Sequence, residues 1–314
     1  MRKPCFLGID TSNYTTSLAI ADEAGNIVAN LKMPLSVKNG ERGLRQSDAV
    51  FQHTKNLPEI FSEAERFFEE YKPLAVGVSV SPRSQEGSYM PCFLAGKSAA
   101  YAVSKAMGAR LFELSHQNGH VMAAAYSGGM PAELLEKPFL AFHISGGTTE
   151  ALLVEPEGCD FKCEIIGGTK DINAGQAIDR VGVAMGIGFP CGASLERLAL
   201  DFSGENPMPK ICVEDGYCNL SGLENKAIEL YEKTGDKNAV AAFVLDFVGA
   251  TLERITANIK EKYPLYPVVY SGGVMSCSIL QKRLKGENTF FAEPSFSADN
   301  AAGIALLCRR HFIN

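Results

Sequence analysis

The sequence has no excess of basic residues, and this limits its partners. It carries 30 Lys and Arg against 36 Asp and Glu, a formal charge of −6 at pH 7. Contacts to nucleic-acid phosphates need clustered Lys and Arg, so this balance argues against a broad surface for nucleic acid. Any contact with RNA is therefore expected to be local or assisted by a partner.

The sequence also has no CxxC pair and no long apolar run. Its nine Cys are an odd number without metal-site spacing, which favours a reduced, cytoplasmic compartment. The most apolar helical stretch, 239–250, contains Asp246 and is shorter than the ~20 residues that span a bilayer. The apolar run before Asp10 is too short for a secretory signal. We therefore expect a cytoplasmic protein that does not enter a membrane.

The bulk composition is that of a globular protein large enough for two domains. The chain has 314 residues, of which 46% are hydrophobic and 21% are charged. The natural boundary is the segment 131–138, which begins and ends with Pro. We predict a first domain at 1–137 and a second at 138–314, with a ligand cleft between them.

Two parts of the chain follow the same plan. Residues 6–20 and residues 139–154 each have a short apolar strand, a turn of small residues containing Thr-Thr, and a second apolar strand. Such a repeat indicates an internal duplication. Helices are predicted around 52–71, 94–107, 174–185, 194–200, 239–259 and 300–308, and further strands at 75–80 and 268–270. Alternating strands and helices predict an α/β fold.

Three turns of small residues are candidates for binding an anion. Ser145–Thr148 and Ser271–Val274 carry Gly pairs after a strand, and Asp10–Thr16 follows the first strand. Without a bulky Cβ, backbone N–H groups can approach a phosphate closely. The segment ending in Gly96-Lys97-Ser98 is not a P-loop, because Pro91 stands where the first Gly is required.

His116 and His120 are candidate metal ligands. On a helix, residues four apart share one face, so both imidazoles can reach one ion, although an ordinary polar helix face has the same spacing. A zinc peptidase needs Glu after the first His, and Gln117 cannot serve as that base. A carboxylate from elsewhere would complete a site suited to iron or zinc. Asp299 is expected to be the N-cap of the last helix, a role compatible with ligation.

These motifs, in their order along nearly the whole chain, resemble the tRNA threonylcarbamoyladenosine transferases. This family was formerly called O-sialoglycoprotein endopeptidase and belongs to the superfamily of actin, sugar kinases and heat-shock ATPases. The matching segments are Gly8–Ser12, the His116 and His120 pair, Ile144–Thr148, Asp171–Asp179, Pro190–Gly192, Ser271–Val274 and Asp299–Ala302. The resemblance implies two duplicated actin-like, ribonuclease H-like lobes.

The resemblance also implies a site. His116, His120 and Asp299 match the family's metal ligands, which implies one divalent metal, iron or zinc. The implied substrate and nucleotide contacts are Asp10, Ile144, Ser145, Gly146, Gly147, Thr148, Asp179, Gly192, Gly272, Gly273 and Cys277. The implied reaction is transfer of a threonylcarbamoyl group from an ATP-derived adenylate to the exocyclic amine of a tRNA adenosine. A partner subunit, including a paralogous actin-like protein, is implied for tRNA binding.

The chain departs from the family pattern around the substrate. Asn13–Thr15 replaces an acidic pair, Thr148 stands where the family usually has His, Ser81–Gly87 replaces a Gly-Pro-Gly loop, and Cys277 replaces an Asn. Two alternatives therefore remain open. One is a paralogue that carbamoylates a different acceptor, and the other is a nucleotide-binding scaffold without catalysis.

Overall fold

The protein is described by a computed structural model that covers residues 2–12, 14–37, 44–205 and 207–314. The described strands are β1 (Lys3–Asp10), β2 (Thr15–Asp22), β3 (Ile27–Pro34), β4 (Tyr71–Ser81), β5 (Arg110–Ser115), β6 (Phe139–Ile144), β7 (Thr149–Glu157), β8 (Asp160–Thr169), β9 (Cys212–Glu214), β10 (Tyr217–Asn219), β11 (Val268–Ser271) and β12 (Thr289–Phe291). The described helices are α1 (Gln46–Glu70), α2 (Phe93–Met107), α3 (His116–Ser127), α4 (Ala174–Ala184), α5 (Gly192–Leu200), α6 (Ser221–Thr234), α7 (Lys237–Lys262), α8 (Ser278–Leu284), α9 (Pro294–Ser297) and α10 (Ala302–Ile313).

The first sheet has the order β3-β2-β1-β4-β5. β1 pairs antiparallel with β2, which confirms the predicted first hairpin, and parallel with β4. β4 in turn pairs parallel with β5. Asn13, in the predicted first turn, lies outside the described residues.

The second sheet repeats this plan and extends it. Its order is β12-β11-β6-β7-β8-β10-β9. β6 pairs antiparallel with β7 and parallel with β11, and β11 pairs parallel with β12. Five neighbouring strands in the order β8-β7-β6-β11-β12 therefore match β3-β2-β1-β4-β5 of the first sheet. The predicted duplication is confirmed in the topology.

The chain divides into two compact units, but not at the predicted boundary. Unit 1 comprises Met1–Ser127, Pro156–Lys162 and Ser295–Asn314, and unit 2 comprises Gly128–Glu155 and Cys163–Pro294. The predicted second domain, 138–314, thus included a C-terminal segment that belongs to unit 1. The reason is that α10 packs on β1, β2 and β4 of the first sheet.

The two faces of the first sheet have different neighbours. Cys5, Leu7 and Ile9 of β1 belong to a core that also contains Leu57 and Ile60 of α1. The even-numbered positions point to the other face, since side chains alternate along a strand. There, a Cβ at Gly8 would lie 2.5 Å from the carbonyl oxygen of Ala301, just before α10. Asp10 shares that second face.

The predicted helices are present, and most extend beyond the predicted ends. α1 begins at Gln46 rather than at 52 and α7 ends at Lys262 rather than at 259. Asp236 caps α7 by accepting hydrogen bonds from the backbone N–H groups of Asn238 and Ala239.

Within the described part of the chain, every helix is too short or too polar to cross a membrane.

We predict that Gly303→Ala destabilises unit 1 by about 3 kcal/mol, because overpacking at a backbone contact strains both helices. A Cβ at Gly303 in α10 would overlap the carbonyl oxygen of Gly119 in α3. Urea unfolding followed by circular dichroism measures the effect. Gly222→Ala is the control, since a Cβ there meets no atom within 4 Å and Ala favours the helix. A Gly303→Ala protein as stable as the control would contradict this account of the packing.

Candidate metal centre and nucleotide pocket

The His pair lies at the start of α3, directly after β5. Ser115, the last residue of β5, caps the helix by accepting a hydrogen bond from the backbone N–H of Asn118 at 3.2 Å. The rings of His116 and His120 lie 4.3 Å apart between centroids. The prediction that both imidazoles occupy one helix face is confirmed.

Asp299 brings a carboxylate to this pair. Its Oδ1 lies 3.2 Å from Nε2 of His120 and 3.7 Å from Nε2 of His116. One ligand atom from each of the three residues falls within 4.8 Å of the other two. The three residues that the resemblance implied as metal ligands are thus together within unit 1.

The expected N-cap role of Asp299 is wrong. Asn300, not Asp299, accepts a hydrogen bond from the backbone N–H of Ala302 at the start of α10, at 3.0 Å. Its amide also donates to the carbonyl oxygen of Ala298 at 2.7 Å. Asn300 therefore organises the turn, and the carboxylate of Asp299 faces the His pair.

Asp10 contacts His116 at Nδ1, the ring nitrogen that does not face Asp299. It is fully buried, and its Oδ1 lies 3.1 Å from Nδ1 of His116. Its other oxygen accepts a hydrogen bond from Ser12 at 2.6 Å, and Ser79 also donates to it. These partners and its burial place the carboxylate of Asp10 in the protein interior, and its expected contact with substrate or nucleotide remains a prediction.

The electrostatics agree with a tight Asp10–His116 pair. Burial alone would lower the pKa of His116, but the charge and hydrogen bond of Asp10 outweigh it and raise the pKa to about 9. Burial likewise tends to raise the pKa of Asp10, and the His116 charge and the two Ser hydroxyls keep it below its ordinary value. A metal held by His116 would need Nε2 without its proton, so binding would release that proton.

These residues fit a divalent metal. Metal-binding His residues usually donate their second ring N–H to a carboxylate, which fixes the ring orientation. Asp10 takes that position at Nδ1 of His116 and leaves Nε2 directed at Asp299. Two imidazole nitrogens and one carboxylate oxygen with further positions open suit iron or zinc.

We predict that the purified protein binds one zinc or ferrous ion per chain, and that His120→Ala abolishes stoichiometric binding. Asp10→Asn should weaken the affinity about 10- to 100-fold, as expected for loss of a supporting carboxylate. Competition with a chelating dye measures both. His311→Ala is the matched control, because that His pairs with Asp160 instead. Unchanged affinity in Asp10→Asn would show that Asp10 does not support the metal.

A further buried imidazole, His53 of α1, lies in the same unit. Its Nδ1 is 2.8 Å from Oγ1 of Thr16, and its Nε2 has no hydrogen-bond partner among the described residues. Burial lowers the pKa of His53 to about 4, and the charges of Asp10 and Asp299 oppose this shift. His53 is therefore neutral in the folded protein near pH 7.

We predict that His53 makes unit 1 less stable in mild acid. The unfolded chain protonates at this residue below about pH 6.5 and the folded chain only near pH 4, so stability falls as the pH falls through this window. The full loss is about 3 kcal/mol. Unfolding in urea at several pH values measures it, and a His53→Leu protein should show a correspondingly shallower dependence. Parallel pH dependences in the two proteins would contradict this prediction.

Unit 2 contains a pocket of about 370 Å³ that brings together part of the predicted nucleotide site. Five of the predicted contact residues line it, namely Gly146, Asp179, Gly192, Gly273 and Cys277. The remaining wall is formed by Gly175, Ile178, Pro190, Ala193, Glu196, Leu245, Val274 and Ser276. Residues from both Gly loops and from α4 and α5 thus converge on one space.

Three other predicted contacts, Ile144, Ser145 and Gly272, do not line the pocket and instead stabilise the conformation of the two Gly loops. Ile144 is buried in the core of unit 2. Ser145 closes its loop, because its hydroxyl accepts from the backbone N–H of Gly147 and Thr148 at 3.3 and 3.0 Å. Gly272 has φ +97°, and a Cβ there would overlap Ile144. Their expected direct contact with ligand therefore remains a prediction.

Glu196 is a pocket residue that the sequence did not reveal. It lies four residues after Gly192, so the two share one face of α5. Its Oε1 accepts hydrogen bonds from the backbone N–H and the hydroxyl of Ser278, at 2.7 and 2.6 Å. Asp179 is held similarly, by the backbone N–H of Cys191 at 2.8 Å. The pocket wall thus carries two anchored carboxylates, which are suitable acceptors for ligand hydroxyls.

Solved structures share this fold at low sequence identity. The HypF structure from T. kodakarensis aligns with a TM-score of 0.61 and 11% identity, over 99% of this chain and 48% of that one. Component A of the (R)-2-hydroxyglutaryl-CoA dehydratase of Acidaminococcus fermentans aligns with a TM-score of 0.58 and 16% identity, over 99% of both chains. The α/β fold is therefore that of the actin-like ATPases.

Sequence comparison identifies the family. Residues 50–306 match the family model for tRNA N6-adenosine threonylcarbamoyltransferase. The enzyme of that name from Thermus thermophilus is 31% identical over 317 residues, covering 99% of this chain and 93% of the relative. That from Streptococcus pneumoniae is 30% identical over 301 residues, covering 92% and 85%. The chain is therefore a transferase that belongs to the tRNA N6-adenosine threonylcarbamoyltransferase family.

Proposed function

We propose that the protein transfers a threonylcarbamoyl group from threonylcarbamoyl-adenylate to the exocyclic amine of a tRNA adenosine. The observation that carries the proposal is the cluster of His116, His120 and Asp299, backed by Asp10, in a chain of this family. In the reaction, the amine nitrogen forms a bond to the carbamoyl carbon. The bond from that carbon to the phosphate oxygen breaks, AMP leaves, and the amine loses a proton.

His116, His120 and Asp299 would hold one divalent metal, iron or zinc. Such an ion supplies Lewis-acid chemistry, polarising a carbonyl oxygen. The contribution of the chain is to fix the ligands before the substrate arrives. Asp10 sets the ring of His116, and Ser12 and Ser79 hold Asp10. Preorganised groups of this kind need no rearrangement during the reaction.

The pocket of unit 2 would bind the adenylate. The anchored carboxylates of Asp179 and Glu196 are acceptors for the ribose hydroxyls. The backbone at Gly146 and Gly273 lies open at the pocket wall, where N–H groups can meet a phosphate. A Cβ at Gly175 would lie 2.6 Å from the backbone nitrogen of Gly146. The loop Ser145–Thr148 can therefore keep this position only if residue 175 is Gly.

The RNA acceptor would need a partner subunit in the cytoplasm, such as a paralogous actin-like protein. The chain has a net charge of −6. One of its few basic runs contains Arg283, but that guanidinium is paired with Asp246 and Glu253. A protein with a net negative charge gains little from the phosphate contacts that supply most RNA affinity.

A second candidate function is transfer of the same group to a different amine acceptor. The segment that replaces the Gly-Pro-Gly loop of the family is bonded to both neighbours of His116. The hydroxyl of Ser84 lies 3.1 Å from that of Ser115, and the carbonyl oxygen of Pro82 accepts from the backbone N–H of Gln117 at 3.0 Å. A changed segment beside the metal ligands favours a changed acceptor.

We predict that zinc- or iron-loaded protein, given threonylcarbamoyl-adenylate made from labelled threonine, transfers the label to a tRNA transcript. His116→Ala should lower the rate at least 100-fold, because it removes a metal ligand, and His311→Ala should not. Nucleoside analysis of the digested tRNA measures transfer. Partner subunits are supplied in a parallel reaction from the same cells.

The outcomes of this assay separate the two candidates. Label on adenosine that depends on His116 supports the tRNA reaction. AMP release that depends on His116 but leaves tRNA unlabelled supports a different acceptor, which is then sought among amines in a cell extract. Metal-loaded protein that neither binds nor consumes the adenylate would overturn both.

A further inference from the structure

A row of polar side chains crosses the face of the first sheet that carries Asp10. Asp10 of β1 pairs with Ser17 of β2, and Ser17 pairs with Lys32 of β3. Residues directly opposite in neighbouring strands place their side chains on the same face. The hydroxyl of Ser17 donates to the carbonyl oxygen of Asp10 at 3.3 Å. Lys32 therefore lies two strands from Asp10, about 10 Å away, on the side of the metal ligands.

The ammonium group of Lys32 is directed at the segment that carries Asp299. Its Nζ donates to the carbonyl oxygen of Ser295 in α9, at 2.5 Å. Burial lowers the pKa of Lys32 and the charge of Asp299 raises it, so the two groups lie within electrostatic reach. Among the described residues, Nζ makes no other hydrogen bond and has no carboxylate within 4 Å.

Anchoring Ser295 does not by itself account for a charged group at this position. A neutral amide donor could bond the same carbonyl oxygen, whereas an ammonium loses hydration when it is half-buried. Lys has three N–H donors, and the Ser295 bond uses one. Once Asp299 ligates a cation, its negative charge is committed to that cation. The charge of Lys32 and its two remaining donors are then available to an anion at the metal centre.

We infer that Lys32 binds the carboxylate of the acyl group held at the metal centre and so selects an N-carbamoylated amino acid with a free carboxylate. This inference rests on the proposed function, because the threonylcarbamoyl group carries such a carboxylate. Lys32 is thus a specificity-determining residue. The ammonium–carboxylate bond distinguishes the acid from a neutral amide of the same shape.

The test measures binding by calorimetry, without turnover. Zinc-loaded protein is titrated with N-acetyl-L-threonine and with N-acetyl-L-threoninamide, which lacks the negative charge. Lys32→Gln keeps a donor for Ser295 and removes the charge, and Lys32→Arg keeps both. We expect Lys32→Gln to weaken acid binding about tenfold or more without changing amide binding, and Lys32→Arg to retain most of the acid preference. Lys97→Gln is the matched control, since Lys97 pairs with Glu113 at the surface.

Acid binding by Lys32→Gln equal to that of the wild type overturns the inference, and so does an equal loss of acid and amide binding. If the Lys32→Gln variant loses zinc, a measurement on wild-type protein tests the inference instead. The Nζ signal of Lys32, assigned in 15N-lysine-labelled protein with Lys32→Arg, should shift with the acid and not with the amide, and an unmoved signal overturns the inference. Failure of the proposed function is recognised separately, because metal-loaded wild-type protein would then neither bind nor consume the adenylate.

Discussion

The buried pair of Asp10 and His116 is the interaction on which the candidate metal centre depends. A carboxylate without solvent exposure needs a charged or strongly donating partner, and His116, Ser12 and Ser79 supply three. The same contact turns Nε2 of His116 toward Asp299. The end of β1, the end of β4 and the start of α3 are thus tied together at one point, and the geometry of the ligands follows from the geometry of the sheet.

Much of the fold was readable from the sequence, because its signals are local. The two hairpins, α2 and α4 lie where apolar runs and turn residues predict them. The short strands β9, β10 and β12 were not predicted, since three residues carry no period that can be recognised. The unit boundary was misplaced for a different reason. Nothing in the composition of 295–314 shows that Gly8 and Gly77 leave room for α10 on the first sheet.

The candidate sites were predicted unevenly, and the pattern has a physical cause. The spacing of His116 and His120 is a helix property and is visible in one sequence, and the resemblance supplied Asp299. The resemblance implied a contact of Asp10 with the ligand, and no sequence pattern showed that Ser12 and Ser79 would be its hydrogen-bond partners. Glu196 was missed because a single acid on a short helix has no distinguishing pattern. Which side chains meet across a sheet or between helices depends on tertiary structure, which a single sequence does not show.

The sequence separation of the ligands has a consequence for how the metal affects the chain. His120 and Asp299 are 179 residues apart, yet both lie in unit 1. An ion held by both would close a loop that contains all of unit 2. Cross-links over long loops restrict the unfolded chain more than short ones do, with an entropy that grows slowly with loop length. A bound ion would therefore restrict the unfolded chain over a span that includes a unit providing none of the ligands, and loss of metal would lower the free energy of unfolding of the protein.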